Sequence, residues 1–250
     1  IDGPSGSGKG TVSRLVARAL GWRLLDSGAL YRLVALAGDK AGLAIDDEAG
    51  HAALAGRLDA EFGFDQAGEE RVLLHGADVT RELRSESTGA AASRVAAWPS
   101  VRAALIGRQR AYAEPPGLVA DGRDMGSVVF PAAALKVFLT ADPLARGTRR
   151  LRELAAREGG PGLDVQAAAS RPGEQRDANP VATAAPGPNS AESHLPAGDA
   201  SLEATALRRV VEELADRDAR DSQRAAAPLV APEGCVMVDT SALSIDEVQE

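Results

Sequence analysis

The chain has few aromatic residues, a single cysteine and no long apolar run. Of its 250 residues, 3% are aromatic and one, Cys235, is a cysteine. One cysteine excludes an intrachain disulfide framework and is typical of a reducing compartment, so we expect a cytoplasmic protein. The apolar run Cys-Val-Met-Val predicts that Cys235 is buried in a strand. No uninterrupted apolar stretch reaches membrane-spanning length, so we expect no membrane partner.

An excess of basic residues is also lacking. The formal net charge is −8 and the isoelectric point is near 5.1. A protein that coats nucleic acid carries a basic stripe, so the composition predicts no nucleic-acid partner. Arginines concentrated in one cleft remain compatible with an acidic surface. A chain of 250 residues, 44% of them apolar, is large enough to bury a core in one or two domains.

Residues 3–11 form a glycine-rich segment, Gly-Pro-Ser-Gly-Ser-Gly-Lys-Gly-Thr. Ile1-Asp2 has the pattern of the end of a buried strand, and Thr11–Leu20 repeats apolar residues at helical spacing. Strand, glycine loop and helix in this order predict a phosphate-binding loop. Its N–H groups can converge on phosphate oxygens because no side chain blocks them, and Lys9 adds a cation. An ordinary Gly/Ser turn before a helix is the alternative.

The residue after the loop lysine departs from the common pattern. Most such loops have Ser or Thr there, and its hydroxyl holds Mg²⁺. This chain has Gly10 at that position and Thr11 one residue later. The departure favours nucleotide kinases over GTPases and motor ATPases.

Strand-like runs alternate with helical patterns, which predicts an α/β fold with a parallel sheet flanked by helices. The predicted strands are Ile1-Asp2, Arg23–Leu25, Leu118–Ala120, Leu135–Thr140 and Cys235–Asp239. The predicted helices include Thr11–Leu20, Ala29–Ala37, Leu144–Glu158 and one from about Leu202. Asp142-Pro143 predicts a helix start, and Ser244 with Glu247 predicts a capping box.

Two regions interrupt this alternation. Within Asp39–Ala97, the β-like stretches Leu58–Phe64 and Arg71–His75 precede a helical pattern from about Arg81 to Val95. We expect this region to be a small inserted subdomain on the substrate side. Gly159–Ser201 is rich in Pro, Ala, Gly, Ser and Asn without an apolar period, so we expect a disordered insertion.

Three groups of polar residues could bind a second anion near the glycine loop. Arginine is expected in such a group because its guanidinium binds phosphate through two hydrogen bonds. The groups are Ser27, Tyr31 and Arg32; Asp121, Arg123 and Asp124; and Arg217, Arg220, Asp221 and Arg224. The second group follows a predicted strand, where ligands bind in open α/β sheets. Asp121 could hold Mg²⁺ through water there, or order the loop.

Each group also has an interpretation without a ligand. The first could pack on the core, the second could form a turn with a surface ion pair, and the third could be a solvated face with salt bridges. The neighbouring flexible segment favours a lid for the third group, because lid arginines neutralise charge and exclude water during phosphoryl transfer. No general base is required, and we expect His51, His75 and His194 to be structural or exposed.

Five segments together resemble the bacterial cytidylate kinases, of the nucleoside monophosphate kinase superfamily. They are residues 1–11, 24–32, 91–97, 121–126 and 217–229, in the family's order. Leu-Leu-Asp-Ser-Gly and Gly-Arg-Asp-Met-Gly are more particular to this family than the glycine loop, which many kinases share. The resemblance covers almost the whole chain apart from Gly159–Ser201, which is longer and looser than the family's lid segment.

The resemblance implies an α/β P-loop kinase fold, a three-layer sandwich with a parallel central sheet, an inserted monophosphate-binding subdomain and a lid. The implied core domain comprises residues 1–38, 98–158 and 225–250, the insert residues 39–97, and the lid region residues 159–224. The implied activity is transfer of the γ-phosphate of ATP to CMP or dCMP with Mg²⁺, in pyrimidine nucleotide metabolism. A cytoplasmic monomer is also implied.

The resemblance further implies roles for individual residues. The ATP-binding set is Gly3, Pro4, Ser5, Gly6, Ser7, Gly8, Lys9, Gly10 and Thr11, of which Gly6 to Thr11 hold the phosphates. Lys9 and Arg217 would be catalytic, and Arg32 and Arg123 would hold the CMP phosphate beside Ser27 and Tyr31. Ser93, Arg102 and Asp124 would read cytosine, and Asp221 and Arg224 would bind the ribose. A carboxylate can accept a hydrogen bond from the exocyclic amine of cytosine, whereas uracil has a carbonyl at the same position.

Two other functions fit part of the sequence. A P-loop kinase for a shikimate or gluconate type of acceptor explains the loop and lid, but not so many acceptor-side arginines or a separate insert. A nucleotide-binding regulatory module without turnover explains the loop, but Lys9 and Arg217 argue against it.

Overall fold

The computed structural model describes residues 1–64, 70–157, 197–244 and 247–248. Its helices are α1 (Lys9–Leu20), α2 (Ser27–Lys40), α3 (Glu48–Gly56), α4 (Thr80–Leu83), α5 (Glu86–Val95), α6 (Pro99–Arg110), α7 (Pro143–Arg157) and α8 (Ala197–Ser222). Its strands are β1 (Arg23–Asp26), β2 (Ala60–Phe64), β3 (Glu70–Leu74), β4 (Ala77–Asp78), β5 (Leu118–Asp121), β6 (Val137–Thr140) and β7 (Val236–Asp239). A π-helical turn covers Met125–Val129.

The central strand of the main sheet is the first segment of the chain. Asp2 bridges in parallel to Gly122, next to β5, and to β6. Its backbone exchanges hydrogen bonds of 2.8 Å with Val137 and Leu139. Since β1 pairs in parallel with β5 and β7 with β6, the order across the sheet is β1, β5, Ile1-Asp2, β6 and β7. The predicted parallel sheet is confirmed, and its central strand leads directly into the glycine loop, at the edge where ligands bind.

Short polar side chains begin the helices that follow this sheet. The Asp26 side chain accepts a hydrogen bond of 2.9 Å from the Ala29 N–H at the start of α2. Asp142 accepts one of 2.8 Å from the Leu144 N–H, and Pro143 is the first residue of α7. Both caps satisfy N–H groups that a helix itself leaves unpaired. The predicted start of α7 is confirmed.

A small subdomain lies between α2 and α6. Its strands β2, β3 and β4 form an antiparallel sheet in that order, and α5 packs against α2 while α3 packs against α6. Arg108 of α6 donates to the carbonyls of Leu58 and Ala60, which ties the subdomain to the main body. The two predicted β-like stretches are confirmed as β2 and β3, which pair as a hairpin, and the predicted helix that follows is divided into α4 and α5.

The largest apolar core lies between α2 and helices α5 and α6. Leu30, Leu33 and Val34 are fully buried on α2, as are Val95 of α5 and Leu105 of α6. The three α2 residues are three and four positions apart, so they share one helical face. This core holds α2 in place beside the sheet. The first two turns of α2 carry Ser27, Tyr31 and Arg32.

The prediction that Cys235 is buried in a strand is wrong. Cys235 precedes β7 and is partly exposed. Val236 and Met237 in β7 are 51% and 54% exposed. Within the described part of the chain, β7 pairs on one side only, with β6, so it is an edge strand. An apolar run therefore predicted the strand, but its burial depended on neighbours that the sequence does not specify.

Other boundaries differ from expectation. Helix α8 begins at Ala197, so residues 197–201 are helical and not disordered, because a helix propagates more easily than it nucleates. Strand β6 begins at Val137, and Leu135 before it is 68% exposed. Helices α3 and α6 were not predicted. The rest of Gly159–Ser201, up to residue 196, lies outside the described residues, so its predicted disorder remains a prediction.

The histidines agree with expectation where they are described. His51 is 1% exposed, with its Nδ1 2.7 Å from the Asp47 carbonyl oxygen. His75 is an exposed residue of the β3–β4 turn, and His194 lies outside the described residues. Among the described helices, none combines the length and hydropathy needed to span a membrane.

Replacing Leu30 tests the core. We expect Leu30→Ala to lower the free energy of unfolding by about 2–5 kcal/mol, because it removes buried methyl groups and leaves a cavity. The matched control is Leu20→Ala in α1, where the side chain is 51% exposed and the expected change is about 0.5 kcal/mol. Urea unfolding followed by circular dichroism measures both. Equal losses in the two variants would contradict the assignment of the core.

Candidate active site

The glycine loop lies over the carboxyl end of the central strand. Gly6 and Gly8 have φ angles of 76° and 86°, a left-handed region that residues with a Cβ rarely adopt. The Gly8 carbonyl accepts hydrogen bonds of 3.1 Å from the N–H groups of Thr11 and Val12, so α1 starts here. The first N–H groups of a helix lack partners within it and carry the positive end of its dipole. The loop is therefore a site for an anion.

Lys9 opens α1 and folds its side chain into the loop. The residue is 8% exposed, and its Nζ donates a hydrogen bond of 3.0 Å to the Pro4 carbonyl. Burial lowers the pKa of Lys9, the nearby Arg123 lowers it further, and Asp121 opposes both. A polyanion at the loop would stabilise the charged amine and raise this pKa.

Two carboxylates meet beside Lys9 at the ends of adjacent strands. Asp26 and Asp121 are register partners of β1 and β5. Burial raises the pKa of Asp121, with Lys9 opposing the rise and Asp26 adding to it. The Asp121 Oδ1 is buried and has no hydrogen-bond partner among the described residues. A Cβ at Gly10 would lie 3.2 Å from the Asp121 Oδ2, so glycine there lets the carboxylate approach the loop.

Arg123 and Arg217 converge on the other side of Lys9. Arg123 donates from Nε to Asp221 at 3.0 Å and from Nη2 to the Ser5 hydroxyl at 2.8 Å. Burial lowers the pKa of Arg217 to about 9, with Arg123 and Arg32 as further causes. Like charges held this close in a buried place are stabilised by a bound anion.

Arg32 joins this cluster from α2. It donates a hydrogen bond of 2.9 Å to the Leu83 carbonyl. A Cβ at Gly89 in α5 would lie 3.6 Å from the Arg32 Nη2 and 3.8 Å from the Arg217 Nη1. Because Gly89 has no side chain, the guanidinium groups of Arg32 and Arg217 can both lie against α5. The positive charges of α2 and α8 are therefore close together there.

Asp221, near the end of α8, pairs with two arginines. It is 1% exposed and accepts hydrogen bonds from both Arg123 and Arg224. Burial lowers the pKa of Arg224, and Asp221 opposes that change. Asp221 and Arg224 thus belong to a buried network and not to a solvated face, although Arg224 lies beyond the end of α8 at Ser222 and not on the helix as predicted.

A deeper polar pocket lies next to this network. Arg102 of α6 and Asp124 form an ion pair, with the residues 9% and 2% exposed. The Arg102 guanidinium carbon lies 5.6 Å from the centroid of the Tyr31 ring. Burial raises the pKa of Asp124, and Arg102 opposes the rise. Ser93 is buried at the same pocket, with its Oγ 3.4 Å from the Arg220 Nε.

Two cavities meet at the cationic cluster. The first has a volume of about 1010 Å³ and is lined by the loop from Ser5 to Lys9 and by Thr11. The second, of about 600 Å³, is lined by all nine predicted acceptor residues, namely Ser27, Tyr31, Arg32, Ser93, Arg102, Arg123, Asp124, Asp221 and Arg224, and by Gly10 and Asp121. Lys9, Arg123 and Arg217 line both. Gly3 and Pro4 line neither cavity. Gly3 lies against the backbone of β6, where an added Cβ would be 2.2 Å from the Leu139 carbonyl oxygen.

Some charged residues at the site were not predicted. Arg150 of α7 lines both cavities and pairs with Glu86 of α5, which links α7 to α5. Asp2 is 1% exposed, and its carboxylate accepts hydrogen bonds of 2.8 Å from the N–H groups of Met125 and Gly126. The strongly basic pattern of α7 was a signal for Arg150. A single acid at the end of a strand carried no signal for Asp2.

Comparison with known proteins identifies the relatives of this chain. The family model described as cytidylate kinase matches residues 1–177 and 196–250. Similar proteins named cytidylate kinase occur in Colwellia psychrerythraea (41% identical, covering 99% of this chain and 90% of the relative) and Stutzerimonas stutzeri (45%, 99% and 90%). Another, from Pseudomonas paraeruginosa, is 44% identical, with coverage of 100% and 90%. The predicted resemblance is confirmed, and the chain belongs to the cytidylate kinase family.

Proposed function

We propose that the protein transfers the γ-phosphate of ATP to CMP or dCMP. The observation that carries this proposal is the meeting of two cavities at Lys9, Arg123 and Arg217. A phosphotransferase must bring two polyanions together, and cations between them offset their repulsion. Membership of the cytidylate kinase family supports the kinase chemistry and the choice of a cytidine nucleotide.

The donor triphosphate binds at the first cavity. The N–H groups from Gly6 to Thr11 hold its phosphate oxygens, and Lys9 leaves the Pro4 carbonyl to contact the β- and γ-phosphates. Gly3 and Pro4 shape the loop from behind. In support, the Pro4 carbonyl accepts hydrogen bonds of 3.0 Å from both Ser7 and Lys9.

The acceptor monophosphate binds in the second cavity. Arg32 and Arg123 hold its phosphate beside Ser27 and Tyr31, and Asp221 and Arg224 bind the ribose hydroxyls. The Asp221 network supports this, because its carboxylate already aligns both arginines along the cavity wall.

Asp124 reads the base with Arg102 and Ser93. A carboxylate accepts a hydrogen bond from the exocyclic amine of cytosine, while the Arg102 guanidinium donates to ring acceptors. The ion pair between Asp124 and Arg102 supports this role, because it uses one carboxylate oxygen of Asp124 and leaves the other available to the base. Uracil presents a carbonyl at the same place and would repel the carboxylate.

Mg²⁺ fits this site as a metal that is bound mainly by phosphates and water. The described residues contain no group of three or more His, Cys, Asp or Glu that could hold a metal ion. The buried Asp121 Oδ1 has no hydrogen-bond partner among them, and Asp26 faces it across the strands. One or two carboxylates suit Mg²⁺, which keeps several waters. When bound, the metal neutralises phosphate charge.

The protein contributes alignment and charge to the reaction. Lys9 and Arg217, which line both cavities, lie where the cavities meet and stabilise the charge spread over the oxygens of the transferring group. The acceptor phosphate is itself the nucleophile, so no side chain has to remove a proton from carbon or water. Arg217 stays cationic near neutral pH because its lowered pKa of about 9 is still above that range.

We also propose three functional divisions of the chain. Residues 1–38, 98–158 and 225–250 form the core, residues 39–97 the monophosphate-binding insert, and residues 159–224 the lid region. The separate antiparallel sheet within residues 39–97 supports these divisions.

A screen of nucleoside monophosphates with ATP and Mg²⁺ tests the proposal. We expect steady ADP release with CMP and dCMP over many turnovers, in a coupled assay, and much less with UMP, AMP or GMP. Activity only with shikimate or gluconate would favour a small-molecule kinase. Binding of ATP without repeated turnover would favour a regulatory module.

Arg123→Ala tests the acceptor phosphate site. We expect kcat/KM for CMP to fall roughly 10- to 150-fold, since one charged hydrogen-bonding partner contributes about 1.5–3 kcal/mol. The control is Arg71→Ala in β3, because Arg71 and its ion-pair partner Asp78 are half exposed and line neither cavity. Unchanged steady-state kinetics in Arg123→Ala would contradict the assignment.

The lowered pKa of Lys9 predicts proton uptake on ATP binding. A triphosphate stabilises the charged amine, so binding above the lowered pKa must bring a proton with it, and affinity falls as the pH rises through that value. Calorimetry at about pH 8.5 in buffers of different ionisation enthalpy measures the uptake. Lys9→Met should remove most of it, because only the smaller share of Arg217 would remain, while the exposed Lys40→Met should not change it. Undiminished uptake in Lys9→Met would assign the proton to another group.

A further inference from the structure

Ser5, at the start of the glycine loop, is held by three separate elements. Its hydroxyl accepts from Arg123, its N–H donates to the Asp218 Oδ1 at 3.4 Å, and its carbonyl accepts from Arg146 at 3.1 Å. Arg123 follows β5, Asp218 lies on α8 and Arg146 lies on α7. Ser5 therefore connects the loop with α7, with α8 and with Arg123 of the second cavity.

Arg146 and Asp218 form a largely buried ion pair behind the loop. Their side chains are 8% and 18% exposed, and the Arg146 Nη1 donates to the Asp218 Oδ2. A Cβ at Gly6 would lie 3.0 Å from the Arg146 Cβ, so glycine lets α7 pack directly against the loop. The pair thus holds both peptide groups of Ser5, and neither Arg146 nor Asp218 lines a cavity.

The same helix carries the residues of the acceptor cavity. Asp218 directly follows Arg217 and lies three residues before Asp221, so it shares a helical face with Asp221. Asp221 holds Arg123, and Arg123 in turn holds the Ser5 hydroxyl. Two sets of contacts therefore connect α8 with the glycine loop, one through Asp218 and one through Asp221 and Arg123.

We propose that Asp218 and Arg146 are positioning residues that couple the acceptor cavity to the donor loop. The proposal rests on the two-nucleotide function given above. A nucleotide that engages Asp221 and Arg123 shifts the register of α8 against the loop, and Asp218 transmits that shift to the Ser5 N–H. Binding at one cavity then changes affinity at the other, and by linkage the effect is reciprocal.

Charge explains why the two residues act together. The Asp218 carboxylate lies next to the loop that receives a polyanion and would repel it if it were alone. Arg146 neutralises this charge and at the same time fixes the Ser5 carbonyl. Removing Arg146 therefore exposes the donor to an uncompensated carboxylate, whereas removing Asp218 breaks the direct hydrogen bond between α8 and the loop.

The experiment measures the coupling factor, the ratio of dissociation constants for a non-hydrolysable ATP analogue without and with saturating CMP. Calorimetry of the full chain gives this factor for wild type, Asp218→Ala, Asp218→Asn and Arg146→Met. We expect a factor of about fivefold or more in the wild type, and a factor near one in Asp218→Ala. Asp218→Asn, which keeps an acceptor for the Ser5 N–H, should retain at least half of it. Arg146→Met should weaken binding of the analogue about tenfold.

The matched control is Arg208→Ala, which removes an exposed arginine on the same helix that lines neither cavity. We expect the wild-type factor there. A role in stability alone would lower the melting temperature of Asp218→Ala and leave its factor unchanged, which would overturn the inference while both nucleotides still bind. A wild-type factor of one would overturn it as well. If the wild type bound neither nucleotide, the proposed function would fail together with it.

Discussion

The structure depends on keeping several buried cations close together. Lys9, Arg123 and Arg217 lie around one point between two cavities, and burial together with their mutual repulsion lowers the pKa of Lys9 and of Arg217. Buried carboxylates offset part of this repulsion, with Asp121 on one side and Asp221 on the other. The arrangement costs stability in the free protein and gains it when phosphates bind. A site of this kind is built for polyanions.

The central strand gives this cluster its geometry. Because Ile1-Asp2 lies between β5 and β6, the loop after it, the end of β5 and the start of α7 reach the same edge of the sheet. Asp2 then fixes the turn after β5 through two backbone hydrogen bonds. Arg146 and Asp218 fix the loop from behind. Rigid supports of this kind keep flexible arginine side chains within reach of the reacting groups.

Prediction from the sequence succeeded where a local pattern had a local physical cause. The glycine loop, the cap at Asp142-Pro143 and the hairpin within residues 39–97 each depend on backbone sterics, capping or alternation, which neighbours in sequence determine. It failed for Cys235, because burial in an edge strand depends on what packs against it. It missed Asp2 and the Arg146–Asp218 pair, because a buried acid shows no pattern until its distant partner is known.

The sequence by itself determined the loop, the alternation of strands and helices and the resemblance to the family, and through that resemblance it predicted nine acceptor residues. Only the tertiary structure decided that these nine residues from separate segments line one cavity, and that Lys9, Arg123 and Arg217 belong to both cavities. It also decided that Ser5 is held from α7 and α8. Contacts between residues more than a hundred positions apart, such as Asp2 with Met125 and Ser5 with Arg146, arise from packing of the whole chain, which no local pattern encodes.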